Sequence, residues 1–456
     1  MKKMFSINPA TEEVLAEFPV LTKNQLEEKI DLSASTFEQW KKVSFSKKKY
    51  LMKRASVILL KEKEKLARTI TLEMGKTIRE SLMEVEKCAV VCNYFAEQAE
   101  NIVKKEIIKT EAKESYIRFD PIGIIFAIMP WNFPFWQVFR AAAPALMVGN
   151  TMLLKHASNV PQSSQLIEKI FLEAGFPKGS FQNLLIDTSM SKEVINHKYV
   201  RAVTLTGSEQ AGSIVAATAG AAIKKTILEL GGSDPFIILD DADIKKAAQM
   251  ATSSRLIVTG QSCIAAKRFI VNKKVADEFL KEFKRLFEEK KVGDPLSLQT
   301  DVGSLSSKQI LKTIEKQVDD SVKVGAKIVT GGKKMAGKGY FYLPTILINV
   351  TNNMPVYHEE TFGPVAVVFV VKDDSEAIKI ANDTKYGLGA SVWTKSKKRS
   401  ERFIEELESG SVFINSIVKS DPRLPFGGIK MSGYGRELSS YGLKEFVNIK
   451  TVVMEN

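Results

Sequence analysis

Ile122-Gly123-Ile124-Ile125-Phe126-Ala127-Ile128 is a continuous apolar run that opens just after Pro121. Such a run marks a strand buried on both faces, and a strand of that kind needs helices packed above and below a parallel sheet. The following residues supply them in alternation. Phe139 to Val148 reads as a helix, Thr151 to Lys155 as a strand, and Pro161 to Ala174 as a helix with proline in its first turn. Phe181 to Ile186 and Ala202 to Leu205 continue the strands, each followed by a helix. The pattern predicts a doubly wound parallel sheet, a fold that takes ligands at the carboxyl ends of its strands. A second α/β unit begins near Pro235, with strands at Phe236–Leu239, Phe269–Val271, Val365–Val371, Ser391–Thr394 and Ser411–Ile414. Helices at Ala276–Glu289, Ser375–Asp383 and Lys397–Glu408 lie between them, and Gly331 to Gly339 is a surface turn. Upstream, Phe5 to about Asn101 is mostly helical in period, and Lys109 to Phe119 reads as an exposed strand. Phe446 to Val453 is a strand with too apolar a face to end free; it is expected to pair with another strand, from this chain or a second subunit.

Bulk properties narrow the function. A chain of 456 residues is long enough for about three domains. No apolar run approaches the roughly 18 residues of a membrane span, and Met1 to Pro9 lacks the apolar stretch of a signal peptide. Three cysteines without framework spacing argue for a reducing compartment, so a cytoplasmic location is expected. The net charge of +13 invites a nucleic-acid partner, but the lysines are interleaved with glutamates, as in Leu60-Lys61-Glu62-Lys63-Glu64-Lys65. That is the pattern of solvated helix faces; no basic run with interleaved aromatics occurs, and no nucleic-acid partner is expected. Cys88 and Cys92 stand four apart on one helix, too few ligands for a metal, and are assigned to the core.

Several polar residues stand where chemistry can use them. Cys263 ends Thr259-Gly260-Gln261-Ser262-Cys263, between a helix-like segment from Ile244 to Val258 and a strand. A loop over a rigid scaffold suits a nucleophile, and turn N–H groups are expected to lower its pKa; the alternative is a small buried hydrophobe. Asn132, in Pro130-Trp131-Asn132-Phe133-Pro134, carries an amide able to donate to an oxyanion. Glu229 is a carboxylate in an apolar strand followed by two glycines, where a raised pKa suits a general base; Glu360 enters another apolar strand. Either glutamate alone also reads as half of a structural ion pair. No Gly-x-Gly-x-x-Gly fingerprint occurs. Gly207 and Ser208 instead end a strand and open the helix Glu209–Ala219, which offers an anion site or simply a helix cap. Lys155 and Ser158 are spaced to bracket a ribose bearing a 2′-phosphate. A cysteine hydrolase would need a histidine base, and His156, His197 and His358 stand in no recognisable Cys–His motif.

Taken together, Pro-Trp-Asn-Phe-Pro, Thr-Gly-Ser, Glu-Leu-Gly-Gly, Gly-Gln-Ser-Cys, Glu-Glu-Thr-Phe-Gly-Pro and the run Pro425 to Glu437 resemble the aldehyde dehydrogenase superfamily in order and spacing, nearly end to end. The resemblance implies an α/β protein: a doubly wound NAD(P)-binding domain over 1–106 and 120–231, a catalytic domain over 232–417, and a small β arm for oligomerisation over 107–119 and 442–456. It implies that Cys263 attacks an aldehyde, that Asn132 and the Cys263 N–H hold the oxyanion, and that hydride leaves to a nicotinamide. Glu229 then activates water on the thioester. Trp131, Lys155, Ser158, Gly207, Ser208, Leu230, Glu360 and Phe362 would line the cofactor groove. NAD-preferring members usually carry Glu where Ser158 stands, so NADP is the expected cofactor, with use of NAD left open. A homodimer or homotetramer is implied.

Within that family, Ala265 to Ile270, Lys419 to Phe426, Tyr434 to Ser439 and Phe446 to Val452 resemble the shorter prokaryotic succinate-semialdehyde dehydrogenases. An ω-carboxylate needs a cation, and Arg140 lies where semialdehyde-specific relatives carry arginine; Arg423 and Lys419 add charge in the capping loop. A second arginine of some relatives falls at Ile257, with Arg255 as its substitute, and Ser262 and Ile264 also depart from the common pattern. Glyceraldehyde or lactaldehyde are the alternative substrates. A CoA-acylating enzyme is disfavoured because relatives of that kind lack the glutamate at 229.

Overall fold

The computed structural model describes residues 2–455. Ile124–Met129 is the pivot of a six-stranded sheet, bonded in parallel to Thr151–His156 on one side and Val200–Thr206 on the other. Phe181–Asn183 extends the first side and Lys225–Glu229 the second, both parallel; Gly433–Tyr434 closes the sheet antiparallel to Lys225–Glu229. Five of the six side chains of Ile124–Met129 are buried, as the apolar run requires.

A seven-stranded sheet holds Lys327–Thr330, Thr345–Ile348, Val365–Val371, Arg268–Asn272, Pro235–Ile238, Ala390–Trp393 and Val412–Ile414, in that order. All its pairings are parallel except the edge pair of Lys327–Thr330 with Thr345–Ile348. A third, three-stranded sheet is antiparallel: Val447–Met454 pairs with Glu114–Pro121, and Glu106–Ile107 lies on the other side. The C-terminal strand therefore finds a partner within its own chain.

Two stretches differ from the sequence expectation. Helical period fails before residue 23, where Lys3–Ile7 and Val14–Pro19 form an antiparallel hairpin. The turn there is fixed by Asn8, whose Oδ1 accepts from the Ala10 N–H at 3.0 Å, and side chains of the first strand alternate in burial as a strand demands. The strand expected from Lys109 begins only at Glu114.

The helix Ile78–Ile102 positions the site. Thr77 caps it in a capping box with Glu80. Its buried face carries Cys88 and Cys92, whose thiols burial pushes up, and no cluster of metal-ligating side chains occurs among the described residues. Its first turns reach two loops at once. Glu84 accepts from the Phe135 and Trp136 N–H groups at 2.8 and 2.9 Å and pairs with buried Lys76, which donates to the Asn132 carbonyl at 3.0 Å. Glu80 accepts from the Val258 N–H at 2.6 Å. No helix among the described residues is long and apolar enough to cross a membrane.

Candidate active site

The helix expected to reach Val258 stops at Leu256, and the chain then turns through Val258 and Thr259 at φ +51° and +56°. Two non-glycine residues in the left-handed region are strained, and the Glu80 carboxylate on Val258 holds them there. Gly260 follows at φ +75°, with room for no side chain: a Cβ would stand 2.2 Å from the Gly363 carbonyl oxygen. This forced turn delivers Cys263 to the junction of two cavities.

The first cavity, of about 370 Å³, is lined by Trp131, Asn132, Gly207, Ser208, Leu230, Gly231, Glu360 and Phe362 as well as Cys263. Residues far apart in the chain and singled out from the sequence thus share one wall. Asn132 is buried, and its Nδ2 donates to the Gln261 carbonyl at 3.0 Å, which pins the amide to the cysteine turn and leaves its second N–H uncommitted. Trp131 and Phe362 meet edge to face at 5.7 Å. Glu360 accepts from the Gly232 N–H at 3.0 Å and lies 3.3 Å from Lys267, whose ammonium also donates to the Ser262, Cys263 and Ala265 carbonyls. Ser208 caps the following helix through Ala211 N–H, as an ordinary helix cap does, and it also lines this cavity.

The Cys263 thiol is not the acidic one the turn led us to expect. Enclosure by protein pushes it up to about 12, and the nearby charges of Arg140 and Lys267 only partly oppose this. His156 is no base for it: its ring faces the Pro134 carbonyl and the Ala157 N–H, and burial lowers it to about 4.

Glu229 ends its strand fully enclosed, but its carboxyl lies off the wall of either cavity, although Leu230 and Gly231, the next two residues, line the first. A Cβ on Gly427 would fall 2.7 Å from its Oε1, which has no hydrogen-bond partner among the described residues. Burial raises Glu229 well above the usual carboxylate range, and the neighbouring Glu437 raises it further, against Arg140 and Arg436.

Lys155 and Ser158 line a separate cavity of about 370 Å³, with Asn159, Asp187, Lys2 and Lys3. Among the described residues the buried Lys155 ammonium donates only to the His156 carbonyl, at 3.4 Å, and burial lowers its pKa; Asp187 is paired with Lys2 at 2.5 Å.

The second cavity at Cys263, about 250 Å³, carries Arg140 and Lys419 on its wall, together with Ile257 and Ile264. Arg140 is committed to Glu437 and donates to Thr206 Oγ1 at 3.2 Å. Arg423 is absent from that wall: it is exposed and doubly bonded to Asp421. Arg255 does not replace an arginine at Ile257 either, because its guanidinium is buried beneath the turn and donates to the Gly260 carbonyl at 2.5 Å. Sequence reasoning passed over Lys87, which lines this cavity from the helix Ile78–Ile102. A lone lysine one residue before a core cysteine carries no signal of its own.

The sequence pattern of the Aldehyde dehydrogenase family matches residues 1–452. The chain is 48% identical over 447 residues to a probable succinate-semialdehyde dehydrogenase [NADP(+)] of Synechocystis sp., covering 98% of each. It is 45% identical over 450 residues to succinate-semialdehyde dehydrogenase [NADP(+)] 1 of Mycobacterium tuberculosis, again covering 98% of each. Its fold is similar to that of succinic semialdehyde dehydrogenase from Streptococcus pyogenes in complex with NADP+, with a TM-score of 0.97 and 39% identity, over 99% of this chain and 100% of that one.

Proposed function

The chain belongs to the aldehyde dehydrogenase family, and from that premise we propose that it oxidises succinate semialdehyde to succinate with NADP, through a covalent intermediate on Cys263. The observation that carries the proposal is the position of Cys263 between two cavities, one lined by Glu360, Trp131 and Phe362, the other by apolar walls and cations. The names of the relatives support the same substrate and cofactor.

The cavity around Lys155 and Ser158 fits a phosphorylated ribose. A buried ammonium with one long contact gains a partner, Ser158 brings a hydroxyl rather than a repelling carboxylate, and Lys2 already neutralises Asp187. Lys155 and Ser158 would hold the 2′-phosphate end, and Gly207, Ser208, Leu230, Glu360 and Phe362 the remainder. When bound, the cofactor supplies the hydride acceptor that converts a thiohemiacetal to a thioester.

The protein's own residues do the rest. Cys263 Sγ gives its proton to water and bonds to the aldehyde carbon, and the uncommitted Asn132 N–H and the Cys263 backbone N–H stabilise the oxyanion. Lys267, bonded to the carbonyls around Cys263, fixes the turn during attack. Glu229 swings from its place beside Gly427 toward the thioester and takes a proton from water. Burial raises its pKa well above the usual carboxylate range, which makes it a stronger base than an exposed carboxylate. Hydrolysis rather than transfer to CoA gives that glutamate a role.

Absorbance at 340 nm tests this with succinate semialdehyde, butanal, glyceraldehyde and lactaldehyde, each with NADP or NAD and with or without CoA. Highest kcat/KM for succinate semialdehyde with NADP, independent of CoA, is expected; a stronger response to a neutral aldehyde, or a need for CoA, contradicts it. A cytoplasmic location accords with the three free cysteines. Assembly into a homodimer or homotetramer accords with the apolar residues exposed on the three-stranded sheet, Ile107, Ile449 and Val453 among them.

A further inference from the structure

Five charged side chains line the cavity on the side of Cys263 away from the cofactor residues: Glu80, Glu84, Lys87, Arg140 and Lys419. Four of them are already paired, bonded or exposed. Glu80 accepts from Val258 and Thr77, and Glu84 is paired with Lys76 and bonded to two backbone N–H groups. Arg140 is paired with Glu437, and Lys419 is exposed. Lys87 is different. Half-buried, it makes no ion pair with a carboxylate among the described residues; it lies 4.1 Å from the Trp136 ring centre and donates to Ser420 Oγ at 2.6 Å. Since Ser420 accepts from the ammonium, its own hydroxyl hydrogen remains to donate. Trp136, Phe133, Ile257 and Phe426 make much of the remaining wall apolar.

A cavity with apolar walls, a thiol at one side and an uncompensated ammonium with an adjoining hydroxyl fits a short carbon chain ending in an anion. We infer that Lys87, together with the Ser420 hydroxyl it orients, receives the carboxylate of the substrate and sets the preference for an acidic aldehyde; this rests on the reading of succinate semialdehyde as substrate. Arg140, already paired with Glu437, is then a wall residue of the same cavity. Burial supports the assignment by lowering the Lys87 ammonium to about 8, with Arg140 acting in the same direction and Glu84, Cys88 and Asp421 opposing. An anion in the cavity restores what desolvation has taken away.

The test uses the full-length enzyme and the variants K87M and K87R. K87M keeps the length and apolar stem but removes the charge. Its KM for succinate semialdehyde should rise roughly 10- to 100-fold, the range of a lost charge-assisted hydrogen bond. KM for butanal and kcat for either substrate should stay within about threefold, and K87R should recover most of the loss. Succinate should inhibit butanal oxidation by the wild type and lose that effect in K87M. In the wild type, KM for succinate semialdehyde should climb above about pH 8, because the cation is lost as pH rises through its pKa; the climb should be absent in K87M and with butanal. A K87M enzyme that keeps its KM for the acid, or loses equally on butanal, overturns the assignment while leaving the substrate reading intact. A wild type that handles butanal as well as succinate semialdehyde overturns the substrate reading, and the anchor falls with it.

Discussion

At Cys263 two cations, Arg140 and Lys267, favour the thiolate, yet loss of solvent outweighs them. The consequence is measurable. Thiolate makes up a small fraction at neutral pH and grows tenfold per pH unit below the pKa. Alkylation of Cys263 by iodoacetamide in the cofactor-free enzyme should therefore accelerate about tenfold per unit from pH 7 to 10 without levelling, followed by peptide mapping. A plateau below pH 9 would show an acidic thiol and refute the burial argument. C263S should lose at least about a thousandfold in turnover while still binding NADP, as judged by quenching of intrinsic fluorescence. Cys263, Asn132 and Glu229 were singled out from local patterns of glycines, prolines or apolar strand residues, each with a structural alternative, and it was the family resemblance that weighted them toward chemistry. Their orientations were not legible in the sequence. The Glu229 carboxyl faces Gly427, some 200 positions along the chain, and Arg255 turns beneath Gly260; both depend on packing that no local pattern encodes.

The helix Ile78–Ile102 shows what an element adds. From its capped end, Glu80 and Glu84 hold the Val258 turn and the Phe135–Trp136 backbone respectively, so one rigid body sets the separation of the turn before Cys263 and the loop after Asn132. Glu84→Ala would strand the fully buried Lys76 ammonium. Removing one partner of a buried pair costs roughly 3–5 kcal/mol, so E84A should lower the thermal transition and depress kcat together; an unchanged melting profile would show that the pair is dispensable. The helix itself was readable from its three- and four-residue spacing, but its clamp was not, because it joins residues 51 to 178 positions apart. The hairpin at residues 3–19 was missed for a related reason: short strands ahead of a long helical stretch are easily absorbed into its period.

On the scale of the whole molecule, two parallel sheets meet at the cysteine turn while a small antiparallel sheet stands apart from it. The alternation of strands and helices made both parallel sheets readable, since buried parallel strands are apolar throughout. The pairing of Val447–Met454 with Glu114–Pro121 spans more than 300 residues and could be anticipated only as an unpaired apolar strand. On the proposed assembly through this sheet, the full chain should give an oligomer's mass by light scattering and a chain lacking residues 447–456 a monomer's; a monomeric full chain, or an unchanged oligomer after deletion, would contradict that proposal. In the proposed mechanism all of this serves one sequence: addition of a single sulfur to the aldehyde, oxidation of that adduct to a thioester by loss of hydride, and release of the acid to water. E229Q should block the release, slowing steady-state turnover by about 10²- to 10⁴-fold but leaving the first burst of NADPH. The decisive measurement is the intact and peptide mass of E229Q quenched after mixing with NADP and succinate semialdehyde. A succinyl group on the peptide carrying Cys263, in step with the NADPH burst, is the predicted result; a burst with no adduct there, or an adduct on another residue, would contradict the account.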